Sequence, residues 1–228
     1  MREATRDDDD ATRQVIADAL TERGDPRGEL IALDLRLKAD GSRGPLLERA
    51  RELRSLHLAH LLGPLAPLVE DATWDRGYAE HVVLAVKHDP DLVAATGSPL
   101  WRTVRSIDVV RHHRRHDGHL TRLLAHDVLF GLRSLRGHLP DSLLVQLARG
   151  PARPLETLVC GRGSLGPHQD DAVTRELFDG PGLAGLRTLA FDEPLEDGAT
   201  LAWIGETPVG AGLTSLDVSA PFEDLPAW

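Results

Sequence analysis

The chain has 228 residues, of which 41% are apolar and 27% charged, with a formal charge of −10. That is enough apolar material for the core of one large domain or two small ones, and it excludes a chain disordered throughout. The longest apolar runs hold only a few residues, so no membrane span is expected, and bulk acidity argues against nucleic acid as a partner, because binding it needs a cationic face.

The chain opens on the acidic run Asp7 to Asp10, with no apolar segment of secretory length, and Cys160 is the single cysteine. No internal disulfide can form, and a reducing, cytoplasmic setting is expected. Thr12 to Arg23 then carries Val15, Ile16, Ala19 and Leu20 at helical spacing and stops at Gly24-Asp25-Pro26. A second helix after Pro26 places Leu30, Leu33 and Leu37 on one stripe, with Ile31 beside it, and breaks between Gly41 and Gly44. A third follows Pro45. Leu46, Leu53, Leu56, His60 and Leu61 give it an apolar side, and Glu48, Arg49, Arg51, Glu52 and Arg54 a solvated one. Residues 1–62 are expected to form a helical N-terminal cap over the open first strand, Gly77 to Val86.

In this region Val15 to Leu20, the run Glu22-Arg23-Gly24-Asp25-Pro26-Arg27-Gly28-Glu29-Leu30-Ile31, Leu62-Gly63-Pro64-Leu65 and Trp74-Asp75-Arg76-Gly77-Tyr78 resemble the bacterial repeat-companion domain. The resemblance covers about residues 10 to 85. It implies a helical module ahead of leucine-rich-like repeats and carries no established activity. Members of that family usually have aromatics where this chain has Ile16 and Ala19, which implies altered helix packing.

From Ala79 onward one phrase, apolar-x-x-apolar-x-apolar, recurs six times. It reads Ala79, Val82, Leu84; Val104, Ile107, Val109; Leu132, Leu135, with Gly137 in the last place; Leu155, Leu158, Cys160; Leu186, Leu189, Phe191; and Leu213, Leu216, Val218. Successive first places lie 25, 28, 23, 31 and 27 residues apart, the period of one strand plus one return segment in leucine-rich solenoids. Most phrases precede a segment that reads as a helix. Asp89-Pro90, Asp141 before Leu143, Leu144 and Leu147, Asp170 or Asp171 before Val173 and Leu177, and Asp197 before Leu201 and Ile204 supply the starts. The expected fold is α/β: residues 63–228 form a short leucine-rich-repeat-like solenoid, a parallel sheet with a helical back, capped by the N-terminal helices. Leucine-rich repeats commonly place asparagine eight residues after the first leucine. This chain has none, and the matching places are Lys87, His112, Pro140, Gly163, Pro194 and Pro221, so a shorter and less regular arc is expected.

Between the apolar places lie residues that face the open side of such a sheet. The third places read His81, Ser106, Ser134, Thr157, Thr188 and Ser215, and the fifth Val83, Asp108, Arg136, Val159, Ala190 and Asp217. The hydroxyl column suits a shallow binding face, and it is also what β-propensity puts on an exposed strand. Asp108 and Arg136 fall on adjacent strands, where an exposed pair is worth at most about 1 kcal/mol. Ser106, Asp108, Ser134, Arg136, Thr157, Thr188, Ser215 and Asp217 are the partner-binding candidates of the face, joined by Arg111, Arg114 and Arg115 from a basic run.

That run, Arg111 to His119, places His112, His113, His116 and His119 close together, and zinc or nickel bound by these imidazoles is the alternative reading. Its three arginines oppose a divalent cation and favour an oxyanion or acidic partner, so the run reads as a solvated His/Arg insertion. Gly161 to Gly166 has a phosphate-loop rhythm but no lysine, and reads as a turn; Glu193 to Asp197 reads as a solvated helix entrance, and Trp203 as core. No nucleophile elbow or dinucleotide fingerprint occurs. The sequence thus points to a noncatalytic interaction module that needs no cofactor and docks a protein partner of unknown identity. Charge is uneven: residues 99–138 hold eight arginines against three aspartates, and residues 153–228 four arginines against thirteen acids. Head-to-tail pairing of such ends tends toward filaments, so a monomer is expected.

Overall fold

The computed structural model describes residues 9–40, 44–161, 177–191 and 204–217 of the chain. These residues form an α/β fold built on a mostly parallel seven-stranded sheet. Its strands are β1 (Val69–Asp75), β2 (Tyr78–Ala85), β3 (Ser106–Arg111), β4 (Ser134–Gly137), β5 (Thr157–Cys160), β6 (Thr188–Phe191) and β7 (Ser215–Asp217), and their order in space is their order in the chain. Helices α1 (Asp10–Thr21), α2 (Pro26–Asp40) and α3 (Pro45–Leu62) precede the sheet. Helices α4 (Asp89–Ala95), α5 (Asp117–Leu124), α6 (Asp141–Arg149) and α7 (Pro208–Gly212) return the chain between parallel strands.

The pairing register is the register of the repeated phrase. Third places pair with third places from His81 through Ser106, Ser134, Thr157 and Thr188 to Ser215, and fourth places do the same from Val82 to Leu216. Because side chains alternate across a strand, this register turns every fourth and sixth place to one face. Val82, Ile107, Leu135, Leu158 and Leu189 are fully buried there, in one continuous core with Leu92, Leu120, Leu124, Leu143 and Leu147 of the helices. Each such leucine, isoleucine or valine contributes about 1.5–3 kcal/mol. Gly137 breaks the phrase for a steric reason. Its φ is 117°, and a Cβ there would lie 2.0 Å from the Val109 carbonyl oxygen.

Strand β1 was not legible in the phrase pattern, and it corrects the expected role of the helices. The open edge of β2 is covered by β1, which pairs with it antiparallel from Val69 opposite Leu84 to Asp75 opposite Tyr78. Arg76 and Gly77 turn the hairpin with φ of 48° and 78°, the double left-handed turn that matches strand twist. Helices α1–α3 instead pack around this turn. The guanidinium groups of Arg13 and Arg27 both lie against the Tyr78 ring, 4.7 and 4.8 Å from its centre, and Arg27 Nη2 donates to the Leu61 carbonyl at 2.5 Å. Asp34 accepts from Arg54 Nη2 at 2.5 Å and from the Gly77 amide at 2.8 Å, tying α2 and α3 to the hairpin.

Smaller expectations also shift. Val15 is 67% exposed, and buried Arg13, Ile16, Ala17 and Leu20 form the inner side of α1. Leu56 is 71% exposed, off the inner side of α3 that Ala50, Leu53 and Leu61 form. The return helices begin one residue earlier than a capping aspartate requires: His88 and Pro140 hold the cap positions, and Asp89 and Asp141 sit in the first turns. Leu177 and Ile204 are buried, whereas Asp170, Asp171, Val173, the run from Glu193 to Asp197, Leu201, Trp203 and Val218 lie outside the described residues.

Candidate binding site on the open face of the sheet

The face of the sheet opposite the helices is built by the third and fifth places of the phrase. Ser106, Asp108, Ser134, Arg136, Thr157, Thr188, Ser215 and Asp217 all line one shallow concavity of about 530 Å³ there. In-register pairing is what gathers them, since residues far apart in sequence come to lie about one strand spacing from each other. His81, Val159 and Ala190 of the same two columns complete the lining, with three residues the phrase did not single out: Thr73, Glu80 and Arg105. Thr73 enters because β1 pairs it with His81. Glu80 and Arg105 occupy second places, whose outward lean along the sheet margin the alternation rule alone does not give.

The floor is chemically divided. Over β2–β4 it is charged. Asp108 is the pivot: its side chain is 22% exposed, its Oδ2 lies 3.8 Å from His81 Nε2, and its Oδ1 is buried without a hydrogen-bond partner among the described residues. Burial pushes the Asp108 carboxyl above its ordinary range, and the charges of His81 and Arg136 pull it back. Arg136 stands opposite Asp108 in the ladder, yet the close contact of Asp108 is with His81. Ser134 Oγ is likewise buried without a described partner. Over β5 and β6 the floor is neutral, with half-buried Thr157 and Thr188 hydroxyls beside buried Val159 and Ala190. The carbonyls of Arg105, Arg133, Glu156 and Arg187 each accept two amide protons from the next strand, which fixes this floor at its leading margin.

Arg111, Arg114 and Arg115 do not join this face, although the sequence reading grouped them with it. Arg111 ends β3 and pairs with Glu70, and Arg114 and Arg115 stand in the single 3-10 turn Arg114–His116 beyond it. The run expected to be a solvated insertion instead enters α5, with two imidazoles packed inward. His112, with 9% of its side chain exposed, meets Asp117 Oδ1 at 3.1 Å through Nε2, and burial pushes its pKa down against the pull of Asp117. His116, 2% exposed, meets Asp89 Oδ1 at 2.6 Å through Nδ1. The His113 and His116 ring centres are 6.3 Å apart and tilted. The set His112, His113, His116 and His119 is therefore not assembled around a common point: among the described residues no three His, Cys, Asp or Glu side chains are grouped to hold a metal ion.

Cys160 faces the core, and burial pushes its thiol up to about 12, so it offers no thiolate. Gly161 follows β5 directly, and Arg162 to Gly166 lie outside the described residues. No helix among the described residues is long and apolar enough to cross a membrane. Comparison with known proteins finds no match: no protein-family model, no curated protein and no solved structure aligns significantly with this chain.

Proposed function

We propose that the protein is a noncatalytic interaction module in which residues 1–62 supply a helical module of the repeat-companion kind ahead of a short leucine-rich-repeat-like solenoid, residues 63–228, that docks a protein partner on its open face. The observation that carries this reading is the convergence of the third- and fifth-place side chains of six successive strands on one concavity. A face of this kind supplies polar groups on a rigid backbone at a regular spacing, which suits an extended partner surface. Its charged floor over β2–β4, neutral stretch over β5 and β6, and Asp217 on β7 fit a partner segment with a neutral middle and polar groups on either side of it. A cytoplasmic location goes with the reading, since Cys160 is a free, buried thiol.

The test replaces Thr157 and Thr188 by arginine, filling the neutral half of the floor with charge on side chains that carry no core packing. Binding partners are identified by mass spectrometry after crosslinking with the unaltered chain, and affinity is then measured for both proteins. The double variant is expected to lose at least about tenfold in affinity while melting at the same temperature. Unchanged affinity with unchanged melting would place the docking surface elsewhere.

A further inference from the structure

A second concavity, of about 550 Å³, opens where β2, β3 and β4 end, away from the sheet face. The pocket lies beyond the carboxyl ends of these strands, which finish at Ala85, Arg111 and Gly137. Here the ionisable side chains that line it are all basic: Lys87, Arg111, His112, His113, Arg115 and His138. Ala85, Val86 and Val110 supply the apolar remainder. Lys87 and His112 stand eight residues after the first place of the first two phrases, where an asparagine would close the turn in a leucine-rich repeat. The register of the fold thus delivers basic side chains to one edge.

Two features turn this collection into a built site. Arg115 Nε donates to His116 Nε2 at 3.2 Å, so the ring's own proton sits on Nδ1 and is donated to Asp89 Oδ1 at 2.6 Å. His116 is 98% buried, so this chain from Asp89 through His116 fixes the Arg115 guanidinium on an immobile base. Arg115 is thus held through Nε, with its charge also acting on the Asp89 carboxylate, and its terminal nitrogens and the exposed Lys87 ammonium have no close hydrogen-bond partner among the described residues. Arg111 is engaged by Glu70, which holds a third cation at the rim.

We infer that this pocket binds a phosphate group, either free or as a phosphomonoester. Donors arriving from the β2 end (Lys87), the β3 end (Arg111) and the following turn (Arg115) match a tetrahedral oxyanion better than a planar carboxylate, which one guanidinium fork satisfies. The apolar wall and the volume leave room for the organic part of an ester. The site is independent of the partner face, sharing no lining residue with it.

Titration calorimetry of the full chain with inorganic phosphate and with phenyl phosphate, at constant ionic strength set with chloride, tests this. Saturable one-site binding of at least one of them is expected. Tighter binding of phenyl phosphate assigns the site to esters, and equal binding assigns it to phosphate itself. Arg115→Gln should weaken binding about tenfold or more. Arg114→Gln removes the same charge one residue away, outside the pocket lining, and should change it by less than about twofold. Lys87→Gln, on an exposed side chain, serves if the Arg115 variant fails to fold, and should weaken binding like it. Binding of neither ligand, or equal weakening by the Arg114 and pocket variants, overturns the inference, the latter because it would show a diffuse field and not a site.

Discussion

A carboxylate in the fifth place of β3 loses most of its water to the walls of the concavity, and neither His81 at 3.8 Å nor Arg136 on the next strand fully compensates it. The sign of the consequence follows from linkage. Burial raises the folded-state pKa of Asp108 above the unfolded value near 3.8, so the folded chain holds the proton more tightly than the unfolded one. Its charge therefore lowers stability at neutral pH, and the loss is recovered as pH falls through the raised pKa toward the unfolded one. Asp108→Asn should melt higher at pH 7, by about 1 kcal/mol or roughly 2–4 °C, and no differently from the parent at pH 3. A lower melting point at pH 7 would mean that His81 and Arg136 outweigh burial. Stability given up in this way is common where a side chain serves binding. The position of Asp108 was legible in the phrase, because alternation alone puts fifth places on the open face. Its desolvation was not, since that depends on how the flanking strands close around it, with His81 on β2 and Arg136 on β4 as its charged neighbours.

At the scale of elements, the hairpin of β1 and β2 is where the helices grip the sheet. Gly77 sits at φ 78°, and a Cβ there would approach Ile31 Cγ1 to 2.4 Å and its amide nitrogen to 3.1 Å. Gly77→Ala combines left-handed strain with overpacking and should cost about 2–4 kcal/mol in urea unfolding. Gly118→Ala, in α5 with nothing within 4 Å of the added carbon, should be neutral or stabilising by up to about 1 kcal/mol. Similar losses in both would remove the hairpin contact as the cause. Six parallel strands could be read because each repeats one spacing of apolar residues. Strand β1 could not, because Glu70, Asp71 and Thr73 face outward, and its only partner is a strand that already carries the phrase. Helix α5 was hidden differently. Its first turn lies next to a His/Arg run whose polarity reads as solvent, although Asp89 and Asp117 allow two of those imidazoles to be buried.

For the molecule as a whole, the basic middle is weaker than its arginine count suggests. Arg105 lies 3.8 Å from Glu80, Arg111 on β3 pairs with Glu70 on β1 and Arg133 with Glu156, so three of its cations are matched by acids from other parts of the sheet. Of the twelve acids from Asp170 to Asp224, nine lie outside the described residues. Steering between exposed charges fades beyond about 10 Å at moderate salt. A partly neutralised patch is poorly suited to holding two copies together, and sedimentation velocity should show a monomer at low and at high salt. A dimer at low salt that dissolves at high salt, and that is lost on reversing Arg111, Arg114 and Arg115 to glutamate, would establish self-pairing instead.

The order of the strands also bears on how such a chain changes length. Each parallel strand meets only its predecessor and its successor, so a duplicated stretch of one phrase and its return helix can enter between two neighbours without rerouting any other part of the chain. Upstream that freedom ends at β1, whose direction is reversed and whose turn is held by Asp34, Arg13 and Arg27. A unit added or removed after β2 would leave this beginning in place and would widen or narrow the face by one strand width.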